Sequence, residues 1–356
     1  MKAASTNKTY RVLGLMSGTS LDGLDLCLAH FHWNGDWSFV IERSRTVAYD
    51  KTIEKKLRTA HLQTDEWIAD LDIELGKIFS RSVEAFCQED EIDLIASHGH
   101  TIRHLPDEGI TWQIGNPAFM RDTMKTPVVY DFRSADVALG GQGAPLVPIG
   151  DQDLFVDFDF CVNLGGFSNC SYQEGVNRIA GDICPVNVVL NALAERLGHS
   201  YDDQGRIAAT GQVDAALLQA LDSLPYYFEP FPKSLGREWV DRHVWPLLNA
   251  SELEETSLLA TFTHHIARQL TRTLTSGRIL ATGGGVKNSY LMRLVRDQSA
   301  AEWVVPNTEL VDFKEALIFG FLGLLRLRQE VNVLASVTGA SKDHSSGKIL
   351  YPNAGG

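Results

Sequence analysis

Residues 14–31 read GLMSGTSLDGLDLCLAHF. Apolar runs on both sides of a Ser-Gly-Thr-Ser-Leu-Asp-Gly core predict a strand, a tight turn and a second strand. The turn has the small and hydroxyl residues of a phosphate-binding loop but no lysine. A Walker A loop needs GxxxxGK followed by Ser or Thr, and a dinucleotide loop needs GxGxxG; neither spacing is present. Two readings stand side by side. In one, the segment is a plain hairpin turning on Gly18 and Asp22-Gly23. In the other, it offers backbone N–H groups and the Ser17, Thr19 and Ser20 hydroxyls to a phosphate. Asp22 or Asp25 then holds Mg2+ directly or through water, because that ion takes oxygen ligands and keeps several waters.

Outward from this turn, strands are expected near 10–16, 24–33 and 37–49, then a helical stretch over 51–88 broken at HLQTD. IDLIAS (92–97) reads as a buried strand ending in HGHTIRH, and PVVYDF (127–132) as another. Between them Asn116 and Pro117 have the form of an N-cap and first helical residue. ALGGQGAPLVP (138–148) marks a domain crossing. The order then begins again: FDFCVNLGGFSNCSYQ (158–173) is a second strand-turn-strand, and a helix starts after Pro185. A helical stretch fills 212–277, RILATGGG (278–285) runs from strand to glycine loop, and a helix (287–298), the strand EWVVP and a helix (313–330) follow. Strands alternating with helices predict an α/β fold. The doubled order predicts two lobes, 1–138 and 139–330, with 331–356 completing the first and 212–277 a helical insertion in the second. Two lobes with a glycine hairpin each would form a cleft with phosphate clamps on both walls.

Composition narrows the function. The 356 residues are 44% hydrophobic, enough for two cores, and carry 32 basic against 45 acidic residues, a net charge of −13. That balance argues against nucleic acid as a partner, since neutralising phosphates takes basic patches. The five cysteines (Cys27, Cys87, Cys161, Cys170, Cys184) lack CxxC spacing and suggest reduced thiols in a cytoplasmic protein. The polar start MKAASTNKTYRV has no signal-peptide pattern, and no apolar run reaches the roughly 18 residues of a membrane span.

Other motifs also carry two readings. NLGGFSN (163–169) is a hairpin or a second phosphate turn; ATGGGVKN (281–288) is a close-packed βα turn or a loop that lets an anion approach a helix N-terminus. Asp182 in AGDICPVN is a helix cap or a general base. Cys184, with no histidine base in evidence, reads as packing. HGHTIRH invites a metal reading through His98, His100 and His104, but no further ligands are grouped with it; polar donors lining a substrate pocket, Arg103 included, fit better. Asp131 and Arg133 can bind a polyhydroxyl substrate or pair with each other, and FPKSLGREW offers Lys233 and Arg237 in a loop whose simplest reading is solvated surface. Glu315, near the expected start of its helix, is a capping carboxylate or an active-site one.

Taken together, GLMSGTSLDGLD, SHGHTIRH, DFRSADVALGGQGAPL, NLGGFSN, PKSLGRE, GGGVKN, EAL and SVTGA, distributed from about residue 11 to 341, resemble the anhydro-N-acetylmuramic acid kinases. These belong to the sugar kinase, Hsp70 and actin superfamily. The resemblance implies a two-lobed actin-like ATPase fold with duplicated ribonuclease H-like βββαβαβα lobes, and a homodimer. It implies ATP and Mg2+ as cofactors and phosphorylation of 1,6-anhydro-N-acetylmuramic acid with opening of the anhydro ring by water. Asp182 would activate that water and Glu315 would be the second catalytic carboxylate. The ATP site would comprise Gly18, Thr19, Ser20, Leu21, Asp22, Gly23, Leu24, Asp25, Gly165, Gly166, Asn169, Gly283, Gly284, Gly285 and Asn288, with Asp22 on the metal. The sugar would meet Ser17, His98, Thr101, Asp131, Arg133 and Gln142. The chain departs from the family pattern in DICPVN, where DTGPGN is usual, in His100 for glutamine and in Asn116 for aspartate. A chaperone-like or regulatory ATPase of the same fold, a kinase for another amino sugar, and a zinc hydrolase are the alternatives.

Overall fold

The computed structural model describes residues 8–18, 21–88 and 90–353. The chain divides at Leu154/Phe155 and again at Asp312/Phe313, giving one unit from the two ends of the chain and a second from its middle.

The first unit is built on β1 (Lys8–Ser17), β2 (Leu24–Trp33), β3 (Trp37–Val47), β4 (Leu94–Leu105), β5 (Ile110–Ile114) and β6 (Val128–Tyr130), with β12 (Lys348–Leu350) from the C-terminal end. Its order is β12-β6-β4-β1-β2-β3, with β5 paired to β4. β1, β2 and β3 form an antiparallel meander, and β4 and β6 continue it in parallel from β1. β1 from Val12 to Ser17 and β2 from Leu26 to Ala29 are buried without a break, which is why they read as near-continuous apolar runs. Helix Asp65–Cys87 covers the sheet with a stripe of Ile68, Leu71, Leu75, Phe79, Val83 and Phe86, the spacing of one helical face. It starts where Thr64 accepts from Trp67 N, and the helix before it, Lys51–Thr59, starts where Asp50 accepts from Thr52 N and Ile53 N.

The second unit repeats the plan with β7 (Phe160–Leu164), β8 (Phe167–Glu174), β9 (Asn177–Pro185), β10 (Arg278–Thr282) and β11 (Glu302–Val304). Its order, β11-β10-β7-β8-β9, with an antiparallel β7-β8-β9 meander and parallel β10 and β11, matches β6-β4-β1-β2-β3 strand for strand. Both are ribonuclease H-like sheets, so the expected duplicated α/β fold is present. The helices between Ala215 and Thr273 close one core with β7–β10, centred on Phe262, Leu259, Val189 and Leu193.

Three details differ from the sequence reading. β4 does not stop at Ser97 but runs through HGHTIRHL, because β5 pairs with its polar half. The crossings fall at 154/155 and 312/313 rather than near 139 and 331. Helix Pro148–Leu154 stays with the first unit, where Gly150 lies against Ile318. The last long helix is Thr308–Leu327 and starts five residues early, because Asn307 caps it by accepting from Leu310 N at 3.0 Å. Glu315 therefore lies two turns inside the helix, which removes the capping reading. That helix sits directly on β1: a Cβ at Gly14 would come 1.9 Å from the Ala316 carbonyl oxygen.

Candidate active site

In the first unit the β1–β2 turn has a tight inner half. Leu21 N donates to Gly18 O at 3.2 Å, and Leu21 takes a left-handed φ of 65°. Gly23 packs where a Cβ would meet Val47 O at 2.4 Å, and Leu24 is fully buried, so these two residues shape the turn. Thr19 and Ser20 lie outside the described residues. Asp22 is exposed. Asp25 accepts from Thr46 Oγ1 at 2.5 Å and is the carboxylate whose charge reaches Glu315.

Ser17 turns inward: its Oγ contacts Tyr49 OH at 2.6 Å and His100 Nδ1 at 2.9 Å, and it is buried. Burial pushes the His100 imidazole down to about 4. His98 is also buried. Its Nδ1 donates to Gly99 O at 2.9 Å, and its Nε2 receives Arg133 Nε at 3.0 Å and Nη2 at 2.8 Å. A guanidinium only donates, so Nε2 carries no proton. Burial, reinforced by the Arg133 charge, pulls this imidazole well below its ordinary range and keeps it neutral. Arg133 Nη1 donates to Gly143 O at 2.7 Å. The guanidinium is thus held by neutral acceptors, and among the described residues no carboxylate is hydrogen-bonded to it. Glu315 is the carboxylate whose field supports its charge. Glu315 itself keeps an exposed edge. The dense protein around the rest pushes its carboxyl above the ordinary value; Asp25 adds to this, while Arg133 and Lys314 oppose it. Lys314 is anchored in a buried pair with Asp151 at 2.6 Å.

The remaining residues expected at a sugar site are less concentrated. Thr101 Oγ1 accepts from Gln113 Nε2 at 3.4 Å, and Gln142 Nε2 reaches Asp107 Oδ1 at 3.5 Å. Asp131 does not pair with Arg133. It pairs with Lys348 at 2.8 Å, and although burial works against it, that contact and Ser134 hold its carboxyl below the ordinary value. Arg103 is no pocket donor either, being tied to Asp65 at 2.6 Å and Gln63 O at 2.7 Å. A metal on His98 would have to displace Arg133 from Nε2 or the Gly99 carbonyl from Nδ1.

In the second unit β7 and β10 are parallel neighbours, so their C-terminal ends bring the two glycine turns together. A Cβ at Gly283 (φ 83°) would lie 2.4 Å from Asn163 Oδ1, and one at Gly285 2.8 Å from Leu164 Cβ; both glycines serve close packing. Gly166 and Gly284 instead face open space, apart from Asn187 Nδ2 at 4.0 Å from a Cβ at Gly284. Gly165 O and Gly166 O receive N–H groups from Asn187, Val186 and Val188 at the start of helix Asn187–Arg196. Asn288 caps helix Ser289–Gln298, its Oδ1 accepting from Leu291 N at 2.9 Å.

Asp182 lies in β9 opposite exposed Asn169 of β8, not at a helix cap. The far side of β9 is clasped by residues 226–235. Asp182 N donates to Lys233 O at 2.8 Å, Tyr226 OH to Asp182 O at 2.7 Å, and Leu235 N to Asp182 Oδ2 at 2.8 Å, with Ser234 Oγ at 3.4 Å. Lys233 closes the clasp, its Nζ donating to Tyr226 O at 2.9 Å and lying 4.5 Å from the Tyr226 ring centroid. Burial raises the Asp182 carboxyl above 3.8, against the two hydrogen bonds to Oδ2. Among the described residues Oδ1 has no hydrogen-bond donor. The loop read as solvated surface is therefore what aims this carboxylate, and the only sequence signal for it was the PKSLGRE block. Cys184 is fully buried beside Ser168 Oγ (3.2 Å); burial pushes its thiol up to about 12, against the Ser168 contact, and leaves it to packing.

Two ribonuclease H-like sheets, each carrying glycine turns and a carboxyl group raised by burial, define an α/β sugar-kinase-like enzyme. A family model of anhydro-N-acetylmuramic acid kinase matches residues 10–352. The chain belongs to that family. The anhydro-N-acetylmuramic acid kinase of Acinetobacter baylyi is 33% identical, covering 92% of this chain and 96% of its own. That of Pseudomonas syringae pv. tomato is 34% identical, covering 96% and 98%. Among solved structures, the activator of the 2-hydroxyisocaproyl-CoA dehydratase from Clostridium difficile, with bound ADPNP, aligns at 12% identity over 89% of this chain and 96% of its own, with a TM-score of 0.43.

Proposed function

We propose that the protein transfers the γ-phosphoryl group of ATP to O6 of 1,6-anhydro-N-acetylmuramic acid while water opens the anhydro ring, giving N-acetylmuramic acid 6-phosphate for cell-wall recycling. The observation that carries this is the state of Asp182: one oxygen tied to Leu235 N, the other unclaimed among the described residues, and a carboxyl raised by burial. Such a group accepts a proton more readily than an ordinary carboxylate. Asp182 Oδ1 takes a proton from water as the water oxygen bonds to the anomeric carbon. The C1–O6 bond breaks, O6 attacks the γ-phosphorus, and ADP leaves.

Arg133, fixed on neutral acceptors, supplies an unspent positive charge toward the sugar, and the field of Glu315 supports that charge. The open space beside Gly166 and Gly284 lets phosphate oxygens approach the backbone of their turns, and Gly18 with Leu21 offers another tight turn. Asp25 with Glu315 would hold Mg2+ through oxygen and water, the arrangement that ion accepts, with Asp22 the exposed alternative; when bound, it offsets charge on the phosphates. The protein acts in the cytoplasm as a homodimer in this reading, and light scattering after size exclusion measures that state. The test of function is coupled ADP release over a panel of anhydro and ordinary amino sugars. Release only with the anhydro-muramic sugar is expected; release without any sugar, unchanged by adding it, would move the protein to the ATPase class.

A further inference from the structure

We infer that Asp136 and Thr338 are positioning residues that set the guanidinium of Arg133, and that this is what the C-terminal SVTGA segment contributes. Asp136 is fully buried. Its Oδ1 accepts from Thr338 Oγ1 at 2.7 Å and its Oδ2 from Gly143 N at 2.7 Å. The other side of the same glycine, its carbonyl, receives Arg133 Nη1 at 2.7 Å. One residue therefore links a buried carboxyl group to the guanidinium. The segments are zipped on both sides, Gln142 N donating to Thr338 O at 2.8 Å and Ser341 N to Leu139 O at 3.0 Å. Gly141 packs so closely on the Asp136 carboxyl group that a Cβ would lie 2.2 Å from Oδ2. Arg133 rests on this frame and on His98, with no hydrogen-bonded carboxylate among the described residues to aim it. Its direction is thus inherited from the loop, and the loop's from Asp136.

This inference rests on the reading that Arg133 meets the sugar, so two readouts are needed. In the Thr338→Val variant the methyl that replaces Oγ1 removes the 2.7 Å donor to Asp136 Oδ1 and leaves that oxygen only His344 Nε2 at 3.6 Å. The sugar KM then rises about tenfold with the ATP KM unchanged. Thr338→Ser, which keeps the hydroxyl, returns it to within about twofold of the parent. In an Arg133→Lys background Thr338→Val adds no more than about twofold, since the two act through one group. Independently of any activity, the Arg133 Nε–H, which donates to His98 Nε2, gives a slowly exchanging side-chain NMR signal that Thr338→Val broadens and Thr338→Ser preserves. Asp136→Asn serves if the valine variant does not fold. An unmoved Arg133 signal, or equal increases in both KM values, would overturn the inference. A parent protein without sugar-stimulated ADP release would instead overturn the functional reading, and the NMR signal would still decide the role of Asp136.

Discussion

The two units share a sheet but hold their functional groups by different means. In the first, the Arg133 guanidinium is aimed by a buried neutral side chain, His98, and by the carbonyl of Gly143. In the second, the Asp182 carboxylate is aimed by main chain, through Leu235 N, with its own N–H and C=O pinned by Lys233 and Tyr226. A guanidinium needs several acceptors in fixed directions, which side chains and turns supply. A general base needs one oxygen restrained and one left to take a proton, and a single N–H suffices. The same strand order thus supports two ways of preorganising charge, and each can be disturbed without the other.

The largest effect is expected at Asp182. Asp182→Asn keeps the acceptor for Leu235 N but cannot take a proton, so kcat should fall roughly 10²- to 10⁴-fold in the ADP-release assay. Undiminished turnover would remove the general-base role. Next comes Arg133→Lys, which loses the planar fork held by His98 and Gly143. The sugar KM should rise about ten- to a hundredfold while the ATP KM holds; equal changes in both would show that Arg133 does not discriminate between the ligands.

The pH dependence sharpens the contrast further. Asp182 must be ionised to act, and burial has raised it above 3.8, so the acid limb of kcat/KM lies above that value. Leu235→Pro, by removing the N–H that stabilises the ionised form, moves the limb to higher pH, whereas a limb that stays put would deny the clasp its role. Linkage gives the matching stability sign. The unfolded chain ionises Asp182 near 3.8 and the folded one higher, so stability is lost as pH rises between the two values and stays lost above them. Asp182→Asn should therefore raise Tm at neutral pH, and the gain should vanish on acidification below 3.8. The smallest effect belongs to Cys184→Ala, which removes a packed thiol. It should cost about 1 kcal/mol in denaturant unfolding and leave kcat within about twofold.

Much of this was legible in the chain. The meanders, the helix caps at Asn116 and the glycine turns follow from alternation and turn chemistry, which act over a few residues. The polar half of β4 was not legible, because a strand of histidines and arginine has no apolar period to betray it; only β5 makes it one. Glu315 was read as a possible cap because the polar residues before it hide the true start at Asn307. The pairing of Asp131 with Lys348 was invisible because its partner arrives from the far end of the chain.

By itself, then, the sequence determined that there are two copies of one α/β plan, where their glycine turns fall, and which family's motifs they carry. Only the tertiary structure decided that Asp25 rather than Asp22 neighbours Glu315, that residues 226–235 clasp Asp182, and that Thr338 reaches Asp136. The reason is one of range. Periodicity and turn preference are written in neighbouring residues, whereas the direction of a charged group is set by donors and acceptors that the fold brings from tens to hundreds of residues away.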